Sequence, residues 1–146
     1  MILKNCTFFN ENFEKEYGDI EIENGKIKQI GILDGDGKDM AGKIIIPGFI
    51  DVHIHGCAGG DASDADKSGL EKMAKELAKH GVTSFCPTSM TLPKERLESI
   101  VETIKEFKEE NHSGAKVMGI NLEGPFIAMS KKGAQNAEYV RGGTIE

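Results

Sequence analysis

Long apolar runs are missing from this chain. No stretch approaches the roughly 18 apolar residues that a membrane-spanning helix needs, and the opening "MILKNCTFFNENFEKEYGD" lacks the apolar core of a secretory signal. Basic residues are outnumbered, 18 Lys and Arg against 24 Asp and Glu, for a net charge of −6. Such a chain offers no broad cationic face, which argues against nucleic acid or an anionic membrane as its partner. A small anionic substrate needs only one local positive group and stays compatible. Cysteine is scarce as well: Cys6, Cys57 and Cys86 are widely spaced and odd in number. That excludes a disulfide framework or a zinc knuckle and reads as reduced thiols. The absences together describe a soluble, cytoplasmic chain.

Glycine, by contrast, is plentiful, with 18 among 146 residues, placed in turns and not in a low-complexity tract. The length suits one domain and is thin for two. Residues 1–46 read as short strands. Within them Ile20 and Ile22 alternate toward Asn24-Gly25, with Ile27 and Ile30 beyond, a strong hairpin signal. "DGDGKD" lacks the spacer and closing glutamate of a calcium loop and reads as a turn. From Pro47 the pattern becomes strand, helix, strand, helix, strand. "FIDVHIH" and Val82–Ser89 are strands, and "AKVMGINLE" is a third. The spacing of Leu70, Met73, Ala74, Leu77 and Ala78 predicts a helix over 61–80, capped by Ser63 or Asp64 and stopped by Gly81. Leu97, Ile100, Val101, Ile104 and Phe107 predict another over 93–110, with Pro93 in its first turn. Strands alternating with helices imply a parallel α/β sheet. Three strands with two helices leave one flank uncovered, as in the front part of something larger.

"PGFIDVHIHG" holds the first chemical signal. Side chains two apart in a strand share a face, so His53 and His55 point the same way with Cα atoms about 6.5–7 Å apart. Two imidazoles so placed can reach one divalent cation, although a packed or surface histidine pair has the same spacing. Asp51 lies on the same face, deeper in the sheet, suited to a second-layer acceptor or a backbone partner. "NLEGPF" holds the second: Glu123, a carboxylate at the end of an apolar strand. In a parallel sheet it opens on the same rim as the histidines, and a cation would satisfy it. Alone it equally fits an exposed strand-end glutamate. Thr88 and Ser89 could bind substrate or cap a loop, and Lys131 and Lys132 could attract an anion or stay solvated. His80, His112 and Cys57 read as structural.

"GKIIIPGFIDVHIHG" resembles the entry strand of the amidohydrolase superfamily. "GVTSFCPTSMT", "LEGPF" and "KKGAQNAEYV" together resemble its N-acetylglucosamine-6-phosphate deacetylase family, over essentially the whole chain. The resemblance implies an α/β fold: the N-terminal part of a metal-dependent (β/α)8 TIM-like barrel, preceded by strands of a small β-sandwich. Residues 1–46 would be the sandwich strands and 47–146 the first three β/α units. It implies a divalent metal, zinc or iron, one or two per subunit, with Glu123, His53 and His55 as ligands. Ala134 and Gln135 would contact substrate, Gln135 standing where relatives carry histidine. The reaction implied is hydrolysis of the acetamide of N-acetylglucosamine 6-phosphate, a small phosphorylated amino sugar, by a cytoplasmic homo-oligomer. The family's general acid–base aspartate has no counterpart here, so the expectation is an incomplete, inactive fragment. Two alternatives stand beside it. One is an amidohydrolase acting on a cyclic amide, which "NLEGPF" disfavours. The other is a non-catalytic module with structural histidines.

Overall fold

The computed structural model describes residues 1–110 and 113–143, so His112, expected in a polar turn, lies outside the described residues. Contacts divide the chain after Pro47 into two compact units, Met1–Pro47 and Gly48–Glu146.

The first unit is a β-sheet. β1 (Ile2–Phe9) pairs antiparallel with β2 (Lys15–Glu23), which pairs antiparallel with β3 (Lys26–Gly31). Two short strands, β4 (Lys38–Asp39) and β5 (Ile44–Ile45), add to β1 in parallel. The β2–β3 turn is Asn24-Gly25, with φ of 51° and 73°, the left-handed pair that a tight hairpin demands. The β1–β2 register shifts between Leu3 and Cys6, where Asn5 takes a φ of 58°. There the buried Asp19 carboxylate accepts the Asn5 N–H at 2.9 Å. The core is small: Cys6, Phe8 and Ile20, flanked by Leu3, Ile22, Met40 and Ile45. Of the alternating isoleucines, Ile27 and Ile30 remain exposed, because β3 is an edge strand and none of the described residues covers their side chains.

The second unit is α/β. β6 (Phe49–Ile54) pairs in parallel with the central β9 (Val82–Ser89). On the other side of β9 the expected third strand forms only two short ladders, β10 (Lys116–Val117) and β11 (Asn121–Leu122). Gly119, a poor strand former, sits in the gap. Between β6 and the first helix lies a small hairpin, β7 (Gly56–Cys57) with β8 (Gly60–Asp61). Its Gly60 packs so closely on the first helix that a Cβ would lie 2.3 Å from the Gly69 carbonyl oxygen.

Helix α1 (Lys67–Lys79) begins later than its spacing suggests. "DASDAD" holds three capping aspartates, and two are used. Asp61 caps a single 3-10 turn over Ala62–Asp64, and left-handed Ala65 ends that turn. Asp66 then caps α1 by accepting from the Ser68 and Gly69 N–H groups. Ser63, expected as a cap, instead accepts the Met90 N–H at 3.0 Å. Gly81, at φ 80°, ends the helix. α2 (Lys94–Glu109) starts just after Pro93. Leu70, Met73, Ala74 and Leu77 of α1 meet Leu97, Ile100, Ile104 and Phe107 of α2 around Phe85 of β9. Ala78 is exposed and Val101 half-buried, so the apolar stripes are narrower than the spacing implies. Among the described residues no helix is long and apolar enough to cross a membrane.

Candidate metal centre

The carboxyl ends of β6, β9 and β11 form one rim. β6 is fastened there by its last residue: the Ile54 N–H donates to Thr88 Oγ1 on β9 at 3.0 Å. The next residue, His55, faces the Thr88 carbonyl through Nδ1 at 3.0 Å. A carbonyl can only accept, so His55 Nδ1 carries the proton and Nε2 turns into the rim. There His55 Nε2 lies 3.4 Å from His53 Nε2, the two rings meeting edge to face. Glu123, one residue past β11, brings Oε2 to 2.9 Å from His55 Nε2 and 3.0 Å from His53 Nε2.

With Nδ1 protonated, a neutral His55 points a lone pair from Nε2 at a carboxylate oxygen. Two lone pairs at that distance repel unless a proton or a cation lies between them. The separations also suit a metal. Ligands about 2.0–2.1 Å from a tetrahedral zinc stand about 3.3–3.4 Å apart, close to the spacing seen here. Two imidazole nitrogens and a carboxylate oxygen form a donor set that binds zinc-like ions and leaves a coordination position open. By distance and by chemistry His53, His55 and Glu123 fit a divalent ion; they are the group with that capacity among the described residues. The Glu123 carboxyl is held below the ordinary glutamate value. The polar contribution of the Gln135 side chain is the largest cause, with His55 and His53 adding to it against partial burial.

The remaining candidates separate. Asp51 Oδ1 accepts the His53 N–H at 3.0 Å, the backbone alternative. Burial pushes the Cys57 thiol up, away from the thiolate a ligand needs. Thr88 is buried and spends its hydroxyl on Ile54 and the Cys86 carbonyl, while Ser89 is buried with its hydroxyl unpartnered among the described residues. Lys132 Nζ is tied to the Gly133 and Gln135 carbonyls, and Lys131 is exposed. His80 contacts Glu76 at 3.2 Å, far from the rim in sequence and on the end of α1. Ala134 is exposed and Gln135 buried. Thr91 was not legible in advance: it is 1% exposed, and its hydroxyl donates to the Glu123 carbonyl at 2.7 Å. Its one sequence signal is the Gly124 that follows Glu123, since a Cβ there would lie 2.1 Å from Thr91 Oγ1.

Comparison with known proteins adds the family context. A model described as "Amidohydrolase family" matches residues 44–143. N-acetylglucosamine-6-phosphate deacetylase of Mus musculus is 45% identical over 71% of this chain and 26% of its own length. The Bacillus subtilis (strain 168) protein of the same name is 32% identical over 100% of this chain and 39% of its own. Among solved structures, N-acetylglucosamine-6-phosphate deacetylase from Thermotoga maritima superposes with a TM-score of 0.84 at 31% identity. That match covers 99% of this chain and 38% of the other. The chain therefore spans less than half the length of these relatives.

Proposed function

The chain belongs to the amidohydrolase family, and we propose that it supplies one side of a metal-dependent active site that deacetylates N-acetylglucosamine 6-phosphate. Residues 1–46 would contribute strands to a β-sandwich and residues 47–146 the first three β/α units of a barrel. The arrangement that supports this is the parallel order of β6, β9 and β11 with its polar rim at their carboxyl ends, where barrel enzymes keep their chemistry.

His53, His55 and Glu123 would hold a divalent ion of the zinc or iron kind. When bound, such an ion supplies an acidified water as nucleophile and polarises the acetyl carbonyl. The residues prepare for it. Thr88 fixes the His55 tautomer so that Nε2 is free to ligate. Thr91 holds the Glu123 main chain through its carbonyl, and the polar surroundings of the carboxylate, the Gln135 side chain foremost, hold its pKa below the ordinary glutamate value. No residue of this chain is assigned to protonate the leaving amine, so the 146 residues alone are expected to release no acetate.

One observation carries the reading: Glu123 meets His53 across 70 positions of sequence, on a different strand. The test is zinc binding by the chain, by competition with a chromophoric chelator, together with acetate release in a chimera. In the chimera these residues replace the matching segment of the Bacillus subtilis relative. Glu123→Gln is expected to weaken zinc binding at least tenfold and to abolish turnover. Retention of both zinc and turnover would overturn the assignment. A structural role for the trio, as in a non-catalytic module, would put a proton between His55 Nε2 and Glu123 in place of the ion, and the chain would then bind no zinc at this rim.

A further inference from the structure

Strand β6 reaches the rim with an irregularity. Its pairing with β9 passes from Asp51 opposite Phe85 to Ile54 opposite Pro87, three steps against two, so β6 carries one extra residue where His53 sits. Such a bulge bends a strand and re-aims a side chain. The peptide joining Val52 to His53 is held there by side chains at both ends. Its N–H donates to Asp51 Oδ1 at 3.0 Å, and the Val52 carbonyl accepts from Asn121 Nδ2 at 3.0 Å. Asn121 opens β11, which lies across β9 from β6. Strands two apart in a sheet stand about 9–10 Å from each other, too far for one asparagine to bridge while the carbonyl stays in the ladder. The bulge brings the carbonyl within reach, and the hydrogen bond then fixes its tilt. Glu123 follows Asn121 by two residues, the spacing that shares a face in an extended chain. The segment that supplies the carboxylate therefore also grips the backbone of the histidine it meets, with Glu123 Oε2 3.0 Å from His53 Nε2.

We propose that Asn121 is a positioning residue: by holding the Val52 carbonyl it sets the tilt of the bulged Val52–His53 peptide, and so the place of the His53 ring beside Glu123 and His55. Asn121 acts through His53 and is assigned no contact with the ion or with substrate. The proposal rests on reading His53, His55 and Glu123 as metal ligands.

The experiment titrates the whole 146-residue chain with zinc against a chromophoric chelator and records the visible absorption of the cobalt(II)-loaded protein. Asn121→Leu, which keeps the bulk and loses the donor, is compared with the unsubstituted chain and with His53→Ala. It is expected to lower zinc affinity about 10–100-fold, the usual cost of losing a partner behind a ligand. It should also shift the cobalt spectrum, because His53 then meets the ion at a different angle. A strap that only ties β6 to β11 would lower the urea midpoint of the metal-free chain and leave the spectrum unmoved. If Asn121→Leu does not fold, Asn121→Ala, which adds no bulk at the rim, is read by the same criteria. Absence of either change, with zinc binding weakened in His53→Ala, would overturn the proposal and leave the ligand reading intact. Zinc affinity that His53→Ala leaves unchanged would overturn both.

Discussion

Asp19 shows how one carboxylate can tie a small unit together. It accepts the Leu33 N–H at 3.0 Å, the Lys4 ammonium at 2.9 Å and the Asn5 N–H at 2.9 Å. These contacts, with the Leu33 bond largest, hold its pKa at about 2. An unfolded aspartate titrates near 3.9, so folding favours the charged form. The resulting stability is present above about pH 4 and is lost as pH falls toward 2. Asp19→Asn should therefore unfold earlier than the unsubstituted chain at pH 7, and the gap should close between pH 4 and pH 2. Urea midpoints measured at both ends of that range decide it; a gap that stays constant would show that the charge is not what matters. At this scale the sequence was half legible. The period-two spacing of His53 and His55 announces a shared face, and an acid after an apolar strand announces Glu123. The ties of Asp19 to Leu33 and of Gln135 to Thr91 do not show, because each joins residues far apart with no local pattern between them.

Among the elements, β9 is the one on which both layers depend. It lies between β6 and the β10–β11 edge, and its alternation sends Phe85, Pro87 and Ser89 to one side and Thr88 to the other. Phe85 fills the core beneath the helices, whereas Thr88 fastens the end of β6 at the rim. Two neighbouring hydroxyls thus have opposite value. Ser89 buries an unpaired oxygen, so Ser89→Ala should leave stability unchanged or raise it by up to about 1–3 kcal/mol. Thr88→Val strands the Ile54 N–H and should cost about 1–3 kcal/mol, while the main-chain carbonyl that His55 Nδ1 faces stays in place. Denaturant midpoints of the two variants test the contrast, and equal losses would refute it. The strand–helix order was readable from periodicity because burial on one face imposes it. Helix starts were less so: "DASDAD" offers several equivalent caps, and the choice of Asp66 follows from Ser63 being drawn away to Met90.

For the whole molecule, the open flank expected from the element count is visible in what stays exposed. β6 and the β10–β11 edge each have one neighbour, β9, among the described residues. Ile50 and Val52 on β6 are 57% and 62% exposed, and Met118, Leu122 and Phe126 are exposed on the other side. Apolar side chains beside unpaired strand edges invite further strands, from the rest of a barrel or from another copy. The candidate site lies on that same sheet, so what completes the sheet also sets how dry and how rigid the His53–His55–Glu123 rim is. The chain by itself is expected to associate as its concentration rises and to bind a hydrophobic dye. Ile50→Lys with Val52→Lys should suppress both, since charge on an edge strand blocks pairing. Light scattering coupled to size exclusion supplies the check. A single species at the 15.9 kDa chain mass over a hundredfold concentration range, without dye binding, would mean that these edges are quiet as they stand. The rim would then need no covering strand to hold its geometry, and zinc affinity in the chain should match that of the chimera.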